Sequence, residues 1–242
     1  TFTTVNGYRK FDSAEVFDAD GSAAPFLEFA EIAEGDQFSH EGRFSYADSS
    51  WRAAFGWNFF TEDGRQNVPF STEEGTFLQC LTGLFGVPDA GRPFGGLPCV
   101  AADGSVPSLG LTNIPYTSVF ENQGKNSSYS LFGDVTYIAA PNLELTAGAR
   151  VLIEERRSSY FADVPNSVLS GAPLVPGQAD TGGTITTEDS FAAVLPRFNV
   201  LYRINPEVNV FATVSKGRRS PVVPVNAAGV QRVIPEETVW NY

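Results

Sequence analysis

Hydrophobic residues recur at every second position in several segments of this chain, which is the spacing of a β-strand with one apolar face. In the clearest segment, Leu143 to Glu154, the odd-numbered positions are all apolar and the positions between them are mostly polar. The segment before it, Tyr129 to Tyr137, shows the same alternation, and Ala140-Pro141-Asn142 separates the two. The pattern predicts a hairpin of two strands joined by a tight turn.

A second hairpin is predicted farther along the chain. Phe198, Val200 and Tyr202 alternate with polar residues, Asn205-Pro206-Glu207 marks a turn, and a further alternating run extends from Val208 to Val214. Other strands are predicted at residues 1–11, 37–46 and 51–62, and one more begins near residue 236. The chain is therefore predicted to be all-β, with about eight antiparallel strands.

The connections between these strands alternate strictly between short turns and long segments. The long segments are residues 12–35, 63–125, 161–187 and 217–235, and they are rich in Gly, Pro, Ser and Asn. Such long irregular loops are uncommon in compact domains. They are typical of outer-membrane β-barrels, which combine short periplasmic turns with long extracellular loops.

Membrane insertion is compatible with the hydropathy of the chain. The sequence contains no run of about 18 apolar residues, so a transmembrane helix is excluded. A membrane-spanning β-strand needs only about 9 to 11 residues, of which every second one faces lipid. The hydrophobic content of 42%, with 20 Phe and 8 Tyr, fits strands that are apolar on one face.

Charge and composition exclude several classes of function. With 28 acidic and 16 basic residues the chain has a net charge of −12, which argues against a nucleic-acid-binding surface. His40 is the single histidine and there are two cysteines, so histidine-based metal sites and Ser-His-Asp or Cys-His catalysis lack their residues. We therefore expect no catalytic residues, no metal site, no cofactor and no enzymatic activity.

Several segments resemble the TonB-dependent outer-membrane receptor family. TVNGYRKFD at residues 4–12 resembles an early barrel strand of that family, and QFSHEGRFS at residues 37–45 resembles its Q-x-S-x-E-x-R-x-S strand. Residues 128–156 and 195–221 resemble two of its hairpins, and IPEETVWNY at residues 234–242 resembles the strand that follows the second one. The resemblance implies an active transporter that captures a scarce ligand, such as siderophore-bound iron, cobalamin or an oligosaccharide, and imports it with energy transmitted by TonB.

The same resemblance implies an organisation, a location and partners. Residues 1–242 would form a partial barrel domain, about eight strands of a 22-stranded transmembrane barrel, without the plug domain and the remaining strands. The location would be the bacterial outer membrane. The partners would be the TonB-ExbB-ExbD complex, reached through the missing plug, together with membrane lipid, lipopolysaccharide and the small ligand. The basic cluster at residues 216–219 either contacts lipopolysaccharide phosphates or forms an ordinary solvated loop.

Residue roles follow from this topology. Cys80 and Cys99 lie in the longest loop, where a disulfide would close about 20 residues and stabilise the loop by about 3 kcal/mol; two unpaired buried thiols are the alternative. Six loop aromatic residues either stack on a ligand ring or pack a small core of the loop itself. These are Phe70, Phe77, Phe85, Phe94, Tyr116 and Phe120. Four residues are expected to face the lumen of the barrel: Arg150, Arg197, Asn199 and Arg203.

Two other architectures are compatible with the strand pattern. One is a soluble or surface-attached β-rich binding module, such as a carbohydrate-binding sandwich, and the other is a closed barrel of eight strands. A sandwich would cover its apolar face with a second sheet, whereas a membrane barrel leaves that face exposed. A closed eight-stranded barrel is disfavoured because the last predicted strand has only about seven residues, too few to span a bilayer.

Overall fold

The structure is a computed structural model, and it describes residues 1–19, 27–78, 114–175, 177–225 and 233–242. These residues form one antiparallel sheet of eight strands, in which each strand pairs with the next one along the chain. The strands are β1 (Phe2–Asp18), β2 (Glu28–Ala47), β3 (Trp51–Glu73), β4 (Pro115–Ala140), β5 (Leu143–Asp163), β6 (Ile185–Asn205), β7 (Val208–Arg219) and β8 (Glu237–Asn241). The prediction of an all-β antiparallel fold is confirmed.

The short turns lie where the sequence predicts them, and two are closed by polar side chains. Asp48 Oδ1 accepts hydrogen bonds from the amides of Ser50 and Trp51, both at 2.7 Å. Asn205 Oδ1 accepts hydrogen bonds from the amides two and three residues later, both at 2.9 Å. Side chains of this type replace backbone partners in tight turns. These turns lie at one end of the strands, which is called the turn end. The opposite end of the strands is called the loop end.

The strands extend farther toward the loop end than predicted, so the loop bounds 12–35 and 63–125 were wrong. β1 continues to Asp18 and β2 begins at Glu28. β3 likewise continues for eleven residues beyond its predicted end at residue 62, and β4 begins ten residues before residue 125. These extensions carry Gly, Asn and charged residues, which individually favour turns, but continuous pairing with the neighbouring strands holds them extended. The other two predicted loops agree with the structure to within three residues.

One face of the sheet carries a band of large apolar side chains, which we call the belt. Register places these side chains on the same face, because residues that are direct cross-strand partners point the same way. Many are about half exposed: Phe55 (54%), Leu131 (57%), Val151 (50%) and Phe198 (56%). Aromatic rings meet across neighbouring strands, as in the Trp51–Tyr137 pair, whose centroids are 4.6 Å apart. The face that carries the belt is called the belt face.

His40 also lies on the belt face, in register with Phe59. Its Nδ1 lies 2.7 Å from the side-chain oxygen of Asn6, its direct partner on β1. This pairing satisfies a polar group next to the apolar side chains of the belt. His40 is thus a hydrogen-bonded strand residue.

The sandwich and the closed eight-stranded barrel disagree with the described structure. Within the described ranges there is a single sheet, and nothing covers the belt. The sheet is open, because β1 and β8 lie at its two edges and do not pair with each other. Among the described residues, no helix is long and apolar enough to cross a membrane.

Candidate functional site

In several strands, the face that carries the apolar side chains changes along the length of the strand. Near the turn end the apolar residues lie on the belt face, whereas near the loop end they also occupy the opposite face. β4 illustrates the change: Leu131 and Val135 lie on the belt face, but Tyr116 and Phe120 lie on the other. The same change occurs in β3, where Phe55 lies on the belt face and Phe70 on the other. Side chains on the face opposite the belt therefore create an apolar surface at the loop end.

A compact aromatic cluster covers this surface, and we call it the aromatic lobe. Its buried members are Phe70, Phe77, Tyr116 and Leu174, and Leu27, Phe29, Leu78, Phe120 and Val175 pack against them. The Phe70 ring is central, with centroids 4.9 Å from Phe29 and 5.7 Å from Phe77. These distances are typical of attractive aromatic pairs. The lobe joins β2, β3 and β4 to the loop that follows β5.

Glu74 fastens that loop to the lobe. Its side chain is 2% exposed and accepts three hydrogen bonds, from the Ser167 hydroxyl at 2.7 Å, the Val168 amide at 2.9 Å and the Leu169 amide at 3.0 Å. It has no ion-pair partner among the described residues. A buried carboxylate without a cation depends on such donors, so Glu74 and the loop hold each other in place.

Tyr116 provides a second anchor for the same loop. Its hydroxyl donates to the carbonyl of Pro165 at 2.8 Å and accepts from the Leu174 amide at 3.4 Å. Burial raises the pKa of Tyr116, because the ionised phenolate would lose its hydration. The ring therefore packs the lobe while its hydroxyl holds both ends of the 165–174 segment.

Glu73 caps the helical residues 74–78 that carry Phe77 into the lobe. Its carboxylate accepts hydrogen bonds from the amide and hydroxyl of Thr76, at 2.7 and 2.8 Å, and longer ones from the amides of Gly75 and Ile114. Partial burial acts to raise the pKa of Glu73, but these hydrogen bonds outweigh it and lower the pKa below its ordinary value. The carboxylate thus acts as an N-cap for a very short helix.

A second buried cluster lies beside the lobe on the same face. It consists of Tyr160, Ala162 and Val164, with Phe120 and Val225 packed against it. Tyr160 donates a hydrogen bond to Gln178 at 3.3 Å, and Thr181 bonds to the backbone of Ala162. Residues from three connections, at 74–78, 165–181 and 223–225, therefore fold onto the face opposite the belt at the loop end.

Phe17, which was not among the residues predicted from the sequence, extends the aromatic lobe toward the open edge of the sheet. Its ring stacks on Phe29 with centroids 5.6 Å apart and an interplanar angle of 11°, and it is 43% exposed. It is thus available for stacking on a ligand ring. The signal was present in the sequence, because Phe11 and Phe17 occupy odd positions while the belt residues Phe2 and Tyr8 of β1 occupy even ones.

The six loop aromatic residues, predicted either to contact a ligand or to pack the loop itself, occupy different environments. Phe70, Phe77 and Tyr116 are at most 3% exposed and form the interior of the lobe, while Phe120 is partly buried between the two clusters. Phe85 and Phe94 lie outside the described residues. Cys80 and Cys99 also lie outside them, so their disulfide stays a prediction. The lobe can offer ligands its outer rings but not its buried centre.

The face opposite the belt carries arginine residues near the turn end, and we call this part the arginine face. Arg203 Nη2 lies 2.7 Å from Glu144, which also pairs with Arg52. Arg197 pairs with Asp134 at 2.8 Å. All four residues predicted to face the lumen share this face: Arg150, Arg197, Asn199 and Arg203.

Arg150 and Asn199 have neutral partners. The Arg150 guanidinium donates to the Ser130 hydroxyl at 2.9 and 3.1 Å, and Asn199 donates to the Thr213 hydroxyl at 2.7 Å. Arg150 has no carboxylate partner among the described residues, and Arg52 and Arg203 share one carboxylate. The arginine face is therefore locally cationic in a chain whose net charge is −12.

The basic cluster at residues 216–219 does not form one cationic surface. The side chain of Arg218 is 3% exposed and lies between Glu154 at 3.4 Å and Glu236 at 3.0 Å. Arg219 faces Glu237 at 3.5 Å near the surface. Arg218 is thus already neutralised by the protein and is not free for a lipid phosphate.

Comparison with known proteins agrees with this architecture. A family model described as the β-barrel of TonB-dependent receptor-like proteins matches residues 1–242. Among solved structures, the chain is similar to the ferric yersiniabactin uptake receptor FyuA from Yersinia pestis, with a TM-score of 0.64 and 12% sequence identity. The similarity covers 98% of this chain and 29% of that receptor chain. At this identity the likeness concerns the fold alone, and the chain spans less than a third of the receptor.

Proposed function

Because the chain belongs to the TonB-dependent receptor β-barrel family, we propose that it forms part of the wall of a bacterial outer-membrane receptor that imports a scarce ligand. The belt then faces lipid, the arginine face lines the lumen, and the loop end is extracellular. The remaining strands and a plug domain come from the rest of a longer protein. Energy reaches the plug from the TonB-ExbB-ExbD complex of the inner membrane.

The exposed belt is the observation that carries this proposal. Large apolar side chains lie half exposed on one face of a sheet that no other described layer covers. Such a surface is unfavourable in water but stable against lipid. Its aromatic residues at the turn end, including Trp51 and Tyr137, fit the membrane interface.

The aromatic lobe is proposed as part of the extracellular vestibule that captures the ligand. Loops folded onto the luminal face narrow the mouth of the channel, and Phe17 presents an exposed ring beside it. An aromatic ring of this type favours a ligand with a flat or apolar face, such as an aromatic siderophore or a sugar ring. Siderophore-bound iron, cobalamin and oligosaccharides are therefore the ligand classes to test.

Uptake measurements in cells test this function. The complete receptor gene is deleted in the source bacterium, and uptake of labelled ferric siderophores, cobalamin and oligosaccharides is compared with and without functional TonB. We expect TonB-dependent uptake of one class to disappear on deletion and to return with the wild-type gene. Recovery of the receptor in the soluble fraction, or no TonB-dependent change for any class, would contradict the proposal.

A matched pair of variants tests the vestibule. Phe17→Ala removes the exposed luminal ring, whereas Val16→Ala alters the neighbouring side chain, which is 85% exposed on the belt face. Loss of one stacking contact should weaken ligand binding about three- to tenfold. The control should bind as the wild type does. Equal binding by both variants would remove Phe17 from the ligand site.

A further inference from the structure

Six charged side chains form a row across the belt face, between the belt and the loop end. We call it the charged row. Each member is the direct cross-strand partner of the next one, so the row is continuous over six strands. Its members, from β1 to β6, are Lys10, Asp36, Asp63, Lys125, Arg157 and Glu188.

The charged row lies at the height expected for lipid headgroups. On β4, Lys125 is four residues beyond Tyr129, the last large apolar residue of the belt on that strand. Four residues correspond to about 13 Å along a strand and, at a tilt of about 45°, to about 9 Å in height. The headgroup region extends about 5 to 8 Å beyond the hydrocarbon core on each side. The backbone of the row therefore lies at the outer edge of the headgroup region if the belt spans the core, and the long side chains of Lys125 and Arg157 reach the headgroups from there.

The order of charges in the row is not that of an internal salt-bridge ladder. Opposite charges stabilise directly facing strand residues and like charges destabilise them, so a ladder would alternate in sign. Here Lys125 and Arg157 face each other directly. Lys125 lies 3.7 Å from Asp63, with both side chains 56% exposed, and Arg157 has no ion-pair partner among the described residues. Exposed pairs of this type contribute little, so the two cations remain available to an external anion.

A surface depression lies beside this pair of cations. Its volume is about 530 Å³, and both cations line it together with the hydroxyls of Ser127 and Ser190. The remaining lining residues are Arg156 and the acidic residues Glu155, Glu188 and Asp189. Ammonium and guanidinium groups donate charge-assisted hydrogen bonds to phosphate oxygens, and hydroxyl groups can donate further ones. The depression thus combines donors for one phosphate group with room for the sugar that carries it.

We propose that Lys125 and Arg157 bind a phosphate group of lipopolysaccharide in the outer leaflet. The proposal rests on the proposed function, because it requires the belt to lie in an outer membrane. It assigns the lipid contact to β4 and β5 instead of residues 216–219, where Arg218 is buried between two carboxylates. Lipid attraction also offsets the repulsion between two like charges that face each other.

Binding measurements on the complete receptor test this site. The receptor is purified in neutral detergent and titrated with short-chain lipopolysaccharide, with the same lipid after enzymatic removal of its phosphates, and with inorganic phosphate. We expect the double variant Lys125→Ser/Arg157→Ser to bind the phosphorylated lipid roughly tenfold more weakly than the wild type. Lys125→Arg keeps the charge and should keep the affinity.

A second double variant controls for net charge. Lys10→Ser/Arg65→Ser removes two cations from the same face without removing the adjacent pair, since Lys10 lies on β1 and Arg65 pairs with Glu121. We expect it to bind as the wild type does. Equal losses in both double variants would reduce the effect to non-specific attraction and overturn the proposal.

The three titrations, with phosphorylated lipid, dephosphorylated lipid and inorganic phosphate, distinguish the remaining outcomes. Equal affinity for the dephosphorylated lipid would overturn the assignment, and so would inorganic phosphate binding as tightly as the lipid. Heat-modifiable migration shows whether each variant is folded. Membrane fractionation of the wild type tests the proposed function separately, because a receptor in the outer membrane whose double variant keeps its affinity contradicts only the phosphate site.

Discussion

The buried carboxylate of Glu74 accepts a hydrogen bond from the hydroxyl of Ser167, 93 residues farther along the chain, at 2.7 Å. The contact joins the connection after β3 to the connection after β5. Both connections pack on the aromatic lobe, so the hydrogen bond fixes the two loops relative to the sheet. The loop end is therefore a folded unit, and the stability of this unit can be measured apart from that of the barrel.

Replacement of Glu74 by Gln should loosen the 167–169 segment. Both carboxylate oxygens accept hydrogen bonds, so an amide would place its NH2 group against an N–H or O–H donor. We expect a local loss of about 1 to 3 kcal/mol. Hydrogen exchange of the Val168 and Leu169 amides in the complete receptor measures this loss. Glu237→Gln, at an exposed pair, is the control; unchanged protection in Glu74→Gln would refute the role of the carboxylate.

Removal of the Tyr116 hydroxyl should affect the same segment from its other end. Tyr116→Phe preserves the buried ring but deprives the Pro165 carbonyl of its donor. The expected cost is about 1 kcal/mol, seen as faster proteolysis within residues 165–174. Tyr129→Phe alters a 45% exposed ring on the belt face, and its proteolysis rate should equal that of the wild type. Equal rates for both variants would show that the hydroxyl does not hold the loop.

The Glu73 cap should make the helical residues 74–78 sensitive to acid. The folded-state pKa is lower than the ordinary value of 4.5, so the stabilisation is complete above that value and is lost as the pH falls through the folded-state pKa. Glu73→Gln should therefore be less stable than the wild type at neutral pH, and the difference should shrink as the pH falls below 4.5 and through the folded-state pKa. Hydrogen exchange at Thr76, corrected for intrinsic rates, measures it. A difference that is constant with pH would contradict the ionic cap.

Gly148 leaves space for an ion pair on the arginine face. A Cβ atom there would lie 2.5 Å from Asp134 Oδ2 and 3.1 Å from the Gly133 carbonyl, so Gly148→Ala should displace the carboxylate from Arg197. We expect a loss of about 1 to 2 kcal/mol in urea unfolding. Gly124→Ala is the control, since no atom of the described residues other than its chain neighbours lies within 4 Å of its Cβ position.

A double-mutant cycle distinguishes crowding from a backbone effect at Gly148. In an Asp134→Ala background the crowded carboxylate is absent, so Gly148→Ala should cost less than it does in the wild type. An equal cost in both backgrounds would place the strain at the Gly133 carbonyl.

The turn end could be predicted from the sequence much better than the loop end. Around Pro141 and Pro206 the alternation and the turn residues agree, and the predicted hairpins are confirmed. Arg150, Arg197, Asn199 and Arg203 share one face because a strand has a period of two. The upper parts of β3 and β4 were missed because their glycine, asparagine and charged residues favour turns locally, whereas long-range pairing decides their structure.

The aromatic lobe could not be predicted from sequence patterns for a different reason. Burial of Phe70 and Phe77 depends on contacts with Leu174, which comes from a connection about a hundred residues later. No local period encodes that contact, and the same holds for Glu74 and Ser167. The change of aromatic residues from even to odd positions within β1 was visible in the sequence, and it points to Phe17.

The change of apolar face along β1, β3 and β4 also restricts how these strands can vary in length among related proteins. An insertion of one residue into β3 between Phe59 and Phe70 would turn every side chain on one side of it to the wrong face. An insertion of two residues would preserve both the belt and the lobe. In related proteins, insertions and deletions within these strands should therefore involve even numbers of residues. Single-residue insertions and deletions should be confined to the loops or absorbed by β-bulges.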